Sequence, residues 1–120
     1  MPPKRRVDVD AGRAALEGWR VGGQVDRTTL ATAVRYTLEE LASRAPGHTL
    51  EVRVPPFGVT QCLAGPRHTR GTPPNVVETD AGTWLALVTG RASWADVRAE
   101  GRVSASGERA DLSAWLPLLP

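Results

Sequence analysis

Apolar residues recur at helical spacing in two segments of the first 45 residues. In the first, the pattern predicts a helix over residues 10–21, with Asp10 as its cap. The second begins near the capping residue Asp26 and ends at the stop Ala45-Pro46-Gly47. Its apolar positions are Leu30, Val34, Leu38, Leu41 and Ala42. One face of this second helix is therefore expected to pack on a flat partner.

The period changes from helical to alternating at Leu50, where apolar and charged residues take turns as far as Val54. The turn residues 55–58 follow, and a second alternating run extends to Leu63. This pattern predicts a hairpin with one buried face. Residues 65–75 are rich in glycine, proline and threonine, so they indicate an edge segment or an extended loop.

The chain from Val76 to Leu119 begins with a short strand over residues 75–79. Two helices then follow, one capped by Asp80 and ending at Gly90, the other capped by Ser93 and ending at Gly101. The glycines are expected to end these helices because glycine adopts a left-handed conformation at little cost.

A strand over residues 102–106 and a last helix, capped by Asp111 and broken by Pro117, complete the prediction. The tryptophans of this half are each expected to contribute a ring to the core, and they are Trp84, Trp94 and Trp115. The element order predicts an α+β fold, with an antiparallel sheet of about five strands covered on one face by helices.

Composition supports one ordinary globular domain over residues 10–120, preceded by a disordered basic tail over residues 1–9. The net charge is +2, and Lys4, Arg5 and Arg6 provide three of the fifteen basic residues. Without them the acidic residues outnumber the basic ones by one, and both signs are interspersed. Nucleic acid is therefore not an expected partner. No apolar run approaches the ~20 residues that would cross a bilayer, so stable membrane insertion is not expected either. A cytoplasmic location is expected.

Catalytic and metal chemistry have little support in the residue pattern. Cys62 is the only cysteine, which excludes an internal disulfide and favours a structural thiol. His68 lies six residues away from Cys62 as a conceivable base, but no third orienting group is evident. His48 and His68 are too few and too widely spaced to suggest a metal site. The sequence thus predicts no enzyme, no metal and no cofactor.

The segment TWLALVTGRASWADVRAEGRVSASGERADL, residues 83–112, resembles the sterol carrier protein 2 family. The family pattern has a helix of the form x-W/F-L-x-L-x-x-G-[KR], a short helix, and then G-[KR]-[VL]-x-x-x-G-[DE]. The matching residues are Trp84, Leu85, Leu87, Gly90, Arg91, Gly101, Arg102, Val103, Gly107 and Glu108. Within that family, the chain resembles short bacterial members of actinobacterial type. It is more loosely similar to the carboxy-terminal accessory domain of mycothiol-dependent maleylpyruvate isomerases.

The resemblance implies non-catalytic binding or carriage of an apolar or amphipathic ligand, such as a fatty acid, acyl-CoA or another lipid. The ligand would lie in a hydrophobic cavity between the sheet and the helices. The implied apolar wall consists of Leu38, Leu63, Trp84, Leu87, Val88, Val103, Leu112, Trp115 and Leu116. The alternative is that these residues fill a closed core and that the chain is an interaction or accessory module.

An anionic head group is the natural partner of the basic residues in the 65–75 segment, since guanidinium forks match carboxylate and phosphate. The residues expected there are Arg67, His68 and Arg70, joined by Arg35 or Arg53, although a solvated polar loop is the alternative interpretation. The apolar end, Leu116 to Leu119, suits a lid over an apolar opening or the contact of a homodimer.

Overall fold

Helices and strands follow one another in the predicted α+β order. The computed structural model describes residues 4–22, 24–66 and 74–120. The helices are α1 (Val9–Arg20), α2 (Arg27–Arg44), α3 (Ala81–Thr89) and α4 (Trp94–Ala99). The strands are β1 (Leu50–Val54), β2 (Gly58–Cys62), β3 (Asn75–Thr79) and β4 (Val103–Ser106). A single 3₁₀ turn, Ser113–Trp115, precedes the carboxy-terminal residues.

The sheet is mixed, with the strand order β2-β1-β3-β4. The pairs β1–β2 and β3–β4 are antiparallel, whereas β1 and β3 pair in parallel, with Leu50 opposite Asn75. The expected sheet of about five antiparallel strands is therefore corrected to four strands, two of them parallel, within the described residues. The central pairing is parallel because the chain leaves β1 through the hairpin and returns to the other edge of β1.

One face of the sheet is apolar and the other is polar, as the alternation predicts. On the inner face, Leu50, Val52 and Val54 of β1 are fully buried, and Cys62 and Val77 extend that surface. The outer face carries mainly polar side chains, among them Glu51, Arg53, Gln61, Glu78, Ser104 and Ser106. The hydrophobic core consequently lies between the inner face and the helices.

Helix α2 is buried on two sides, not on the single face that the periodicity predicts. Towards α1, Gly12 comes so close that a Cβ atom there would lie 2.3 Å from Cγ of Tyr36. Towards the sheet, a Cβ atom on Gly58 would lie 3.2 Å from Cδ1 of Leu38. The second buried side escapes a hydropathy pattern because the buried residues beside Tyr36 are the small Ala33 and the polar Thr37.

Helix α1 begins one residue earlier than predicted, and its cap lies two residues earlier. The side chain of Asp8, and not that of Asp10, accepts the N–H of Ala11 at 3.0 Å. The caps of the next three helices are as predicted: Asp26, Asp80 and Ser93 accept N–H groups three residues on. Asp8 and Asp10 have the same capping chemistry, so composition alone does not separate them.

The segment before α1 lies against α2, which differs from the expected disordered tail. The carboxylate of Glu39 accepts the backbone N–H groups of Arg6 and Val7 at 3.0 to 3.2 Å. The guanidinium of Arg5 pairs with Glu40. Val7 is partly buried against the core. The segment 4–8 is therefore held by hydrogen bonds and an ion pair to the second helix.

The predicted last helix is reduced to the 3₁₀ turn. Asp111 accepts the N–H of Ser113, only two residues on, at 2.8 Å, which closes a turn and does not cap an α-helix. Trp115 is consequently 37% exposed and adds no ring to the core, unlike the fully buried Trp84 and the 9% exposed Trp94. The expectation that three tryptophans build the core is wrong for Trp115.

The carboxy-terminal residues pack back onto the body of the molecule. The N–H of Leu119 donates to the carbonyl of Val88 at 2.9 Å. Arg20 donates to the carbonyl of Leu119 at 3.0 Å, and Arg44 donates to that of Leu118 at 2.6 Å. Helices α1, α2 and α3 therefore all contribute a hydrogen bond that holds this tail.

Candidate functional site

Most of the predicted wall residues lie inside the core. Trp84, Leu87, Val88 and Leu112 are 0 to 1% exposed, and Leu38 and Val103 are 3 and 7% exposed. The indole N–H of Trp84 donates to the hydroxyl of Thr37 at 2.8 Å, so its polar atom is satisfied within the protein. These side chains contact one another in the core cluster, and of the six only Leu38 also lines a groove described below.

The other three predicted wall residues lie at the margin of the core. Leu63 has a φ of 68°. Its N–H donates to Ala45 at 2.8 Å, and its carbonyl accepts from Thr49 at 3.2 Å, so its backbone closes the connection between α2 and β1. Leu116 is partly buried and Trp115 is exposed. The head-group residues Arg67, His68 and Arg70 lie outside the described residues.

A groove of about 600 Å³ lies between the amino-terminal segment, α2 and β2. We call it the α2–β2 groove. Its apolar lining comes from Val7, Leu38, Ala42, Phe57 and Val59. Its charged lining comes from Lys4, Arg6, Arg35 and Glu39, and Gly58 and Thr60 complete the wall formed by β2. A largely apolar cleft with a few charged groups is the usual form of a small-molecule site.

Gly58 sets the distance between the two main walls of the groove. Because it has no side chain, β2 approaches α2 closely enough for Leu38 to contact its backbone. The guanidinium of Arg35 donates from Nε to the carbonyl of Phe57 at 2.8 Å. This bond fixes the stem of Arg35 along the groove. Arg27 lies over the ring of Phe57, with its guanidinium carbon 5.4 Å from the centroid.

The electrostatics of the α2–β2 groove favour an anion. Three cations and one carboxylate line it, which leaves a net charge of +2. The two carboxylate oxygens of Glu39 already accept hydrogen bonds from the backbone N–H groups of Arg6 and Val7. An entering anion would thus meet Lys4, Arg6 and Arg35 beside a carboxylate that is already engaged.

Two lining residues of this groove are also predicted site residues, but for other places. The sequence predicts Leu38 in the wall of a cavity between the sheet and the helices, and Arg35 beside the basic residues of the 65–75 segment. Lys4 and Arg6 were missed because they were assigned to a mobile tail. A usable signal was present in α2: Arg35, Leu38, Glu39 and Ala42 recur at spacings of three and four, so they share one helix face.

The candidate nucleophile is buried. Cys62 is fully inaccessible, and this burial raises the pKa of its thiol to about 12. A thiol in such surroundings is neutral at ordinary pH and a poor nucleophile. His48 is exposed and contacts the amide of Gln61 through Nδ1, and His68 lies outside the described residues.

Neither a metal cluster nor a membrane-spanning helix is found over residues 4–22, 24–66 and 74–120. No group of three or more histidine, cysteine, aspartate or glutamate side chains there is arranged to hold a metal ion. The helices in that part of the chain are too short or too polar to cross a bilayer.

A comparison with known protein families identifies the family of this chain. The family model described as "Bacterial SCP ortholog" matches residues 26–118. The chain belongs to this family. The bacterial SCP ortholog family is sterol carrier protein-like, which indicates a lipid-carrier role in general terms and, in general, no catalysis. No curated protein matches the chain.

The match to the family model covers one part of the structure and leaves out the amino-terminal part. It includes α2, the whole sheet, α3 and α4, and therefore the two walls that α2 and β2 give to the α2–β2 groove. It does not include residues 4–25, so Lys4, Arg6, Val7 and the whole of α1 lie outside the part that the family model matches.

Proposed function

We propose that this protein binds and carries an amphipathic lipid with an anionic head group, without covalent chemistry, in the α2–β2 groove. The observation that carries the proposal is the meeting of apolar Leu38, Ala42 and Phe57 with basic Lys4, Arg6 and Arg35 in one groove. Membership of a sterol carrier protein-like family supports the same role. The volume of about 600 Å³ lies within the range of typical ligand sites.

The head group would lie at the three cations and the acyl chain along the apolar lining. Guanidinium groups bind carboxylate and phosphate through paired hydrogen bonds, and Arg35 is held in position by its bond to Phe57. A net charge of +2 favours a head group with up to two negative charges. A monoacyl phosphate is therefore expected to bind more tightly than a fatty acid of the same chain length.

The proposed function includes no catalytic reaction at Cys62. Its inaccessible, neutral thiol supports a structural role on the inner face of β2. The expected activity is transfer of the intact ligand, and its chemistry is confined to hydrogen bonding, charge pairing and burial of apolar surface.

A second candidate is an interaction or accessory module with a closed core. The observation that favours it is the full burial of Trp84, Leu87, Val88 and Leu112, the residues expected to surround a ligand between sheet and helices. Such a module would bind no lipid. Its contacts would lie on the surface, and the experiment below separates it from the carrier.

Gentle-ionisation mass spectrometry of the purified protein, with organic extraction of whatever co-purifies, tests for a resident lipid. A lipid near one molar equivalent supports the carrier. Titration with palmitate and with a monoacyl glycerol phosphate then measures affinity. Arg35→Ala is expected to weaken both by about tenfold or more, since a hydrogen bond to a charged group is worth about 1.5–3 kcal/mol.

Arg53→Ala is the matched control, because Arg53 is an exposed arginine on the outer face of the sheet that pairs with Glu51 at 2.6 Å. Its affinities should equal those of the unmodified protein. An empty protein that ignores both lipids would favour the closed module, and equal losses in the two variants would remove the groove from the proposal.

A further inference from the structure

The residues before α1 form one wall of the α2–β2 groove, although they belong to neither a helix nor a strand. We call residues 4–8 the strap. Three of its side chains, those of Lys4, Arg6 and Val7, line the groove together with residues of α2 and β2. The strap lies outside residues 26–118, the part that the family model matches. Membership of the family therefore does not predict this wall.

Two neighbouring glutamates of α2 hold the strap. The carboxylate of Glu39 accepts the backbone N–H of Arg6 at 3.0 and 3.2 Å and that of Val7 at 3.0 Å. Glu40 pairs with the guanidinium of Arg5. Over residues 4–22, 24–66 and 74–120, no other hydrogen bond joins the strap to α2 or to the sheet. The backbone of the strap is thus attached to α2 through one side chain, that of Glu39.

Apolar contacts add little to this attachment. Val7 is half-buried and packs against the core, whereas Lys4, Arg6 and Asp8 are exposed. A segment opens readily when it buries little apolar surface and its backbone hydrogen bonds lie near solvent. The strap is therefore expected to leave α2 at a much lower cost in free energy than the unfolding of α2 itself.

One buried donor favours opening of the strap. Nη1 of Arg5 has no hydrogen-bond partner within the part of the chain that the structure describes, although the other amino group of this guanidinium contacts Glu40. A buried donor without an acceptor is costly, and water would satisfy it once the strap leaves α2. The bonds to Glu39 and the unsatisfied donor of Arg5 consequently act in opposite directions, which lowers the cost of opening.

We propose that the strap closes over a bound anionic lipid and opens to release it, with Glu39 as the positioning residue that holds the closed position. This inference rests on the proposed function. A head group at Arg35 would meet Lys4 and Arg6 only while the strap is closed. A ligand that makes these contacts in one position alone shifts the strap towards that position, and the closed strap in turn slows its release.

Amide hydrogen exchange of the intact, lipid-free chain, followed by NMR, tests the role of Glu39. Glu39→Gln keeps the size of the side chain but replaces two charged acceptor oxygens by one neutral oxygen. Exchange at the amides of Arg6 and Val7 is expected to rise by about tenfold or more, because hydrogen bonds to a charged acceptor are the stronger kind. Exchange at the amides of Leu38 and Leu41, inside α2, should stay unchanged.

Glu51→Gln is the matched control, because Glu51 lies on the outer face of the sheet and pairs there with Arg53. Its exchange at Arg6 and Val7 should equal that of the unmodified protein. Equal exchange in Glu39→Gln would overturn the proposal whether or not a lipid binds. A simultaneous rise inside α2 would assign Glu39 a general structural role and would overturn it as well.

Saturation of the unmodified protein with monoacyl glycerol phosphate tests closure over the ligand. Exchange at Arg6 and Val7 should slow by about tenfold or more relative to the lipid-free protein. Lipid bound in the groove without this slowing would overturn the strap and leave the lipid site intact. A protein that binds neither this lipid nor palmitate would instead remove the proposed function, and the role of the strap with it.

Release of monoacyl glycerol phosphate into phosphatidylcholine vesicles gives a readout whose direction is decisive. Glu39→Gln should release the lipid about tenfold faster, with association no slower. Removal of a negative charge beside an anion would by itself slow release, so faster release is specific to an open strap. Slower or unchanged release would show that Glu39 acts only through its charge, and the proposal would fail.

Discussion

Each buried threonine of the described core forms a hydrogen bond with a specific neighbour. Thr37 accepts the indole N–H of Trp84 and donates its own hydroxyl to the carbonyl of Ala33 at 2.8 Å. Thr79 donates to the carbonyl of Arg102 at 2.8 Å, across the edge of the sheet. Because an unpaired buried donor costs about 1–3 kcal/mol, these pairs restrict which helix and strand can pack together.

Cys62 should resist thiol reagents in the native protein. Burial raises its pKa from the ordinary 9.0 to about 12, so at about pH 8 its thiolate fraction is roughly a thousandfold below that of an exposed thiol. We expect Ellman's reagent to label the native protein very slowly and the urea-unfolded protein at once. Rapid native labelling would show that the inner face of β2 opens.

The burial of Cys62 also makes the stability of the folded protein depend on pH. The native state keeps the thiol proton up to about pH 12, whereas the unfolded chain loses it above about 9. The stabilisation is therefore complete below about pH 9 and is lost as the pH rises towards about 12. Urea unfolding across this window should show a steeper decline for the native sequence than for Cys62→Ala.

Only some of the residues that line the α2–β2 groove can be predicted from the sequence. Leu38 and Arg35 lie on one face of a strongly periodic helix, so sequence spacing finds them. Lys4 and Arg6 come to the same place because Glu39 binds the backbone of residues 6 and 7. A backbone hydrogen bond across 32 or more residues leaves no mark in local composition, so these two cations were assigned to a tail.

At the scale of elements, helices with a clear cap and stop were predicted well. Helices α2, α3 and α4 begin where Asp26, Asp80 and Ser93 accept the expected N–H groups. The last helix was wrong because Asp111 closes a two-residue turn and Pro117 leaves no room for a second helical turn. The parallel pairing of β1 with β3 was not predictable, since it depends on long-range contacts.

Docking of α1 on α2 depends on Gly12. A Cβ atom at this position would lie 2.3 Å from Tyr36, far inside any normal contact. Gly12→Ala should therefore destabilise the protein by about 1–3 kcal/mol of overpacking, although alanine favours a helix by about 1 kcal/mol. Urea unfolding followed by circular dichroism measures the change.

Gly18→Ala is the matched substitution in the same helix. Its added Cβ would meet only Val25, at an ordinary 3.8 Å. This variant should be neutral or more stable by up to about 1 kcal/mol. If both variants gained stability, the close packing of α1 on Tyr36 would be incorrect.

At the scale of the whole molecule, the carboxy-terminal residues join α1, α2 and α3. Arg20 and Arg44 bind the carbonyls of Leu119 and Leu118, and the Leu119 N–H binds Val88. Arg20→Ala and Arg44→Ala should each raise hydrogen exchange at the Leu119 amide by up to about tenfold, because each loses a hydrogen bond worth about 1 kcal/mol.

Arg13→Ala supplies the control for this measurement. Arg13 lies on α1 beside the carboxy-terminal residues, as Arg20 does, yet within the described residues no hydrogen bond joins its side chain to them. Exchange at Leu119 should be unchanged in this variant. Equal exchange in all three variants would show that packing of Leu118, and not the arginine bonds, holds the tail.

The parallel contact at the centre of the sheet also orders the assembly of the chain. The β1–β2 hairpin closes over a three-residue turn, but Leu50 meets Asn75 only after 25 residues of chain have been gathered. Closing that longer loop costs more entropy, and contacts distant in sequence slow folding. The hairpin is thus available early, while the joining of β3 to β1 completes the inner face against which the helices pack.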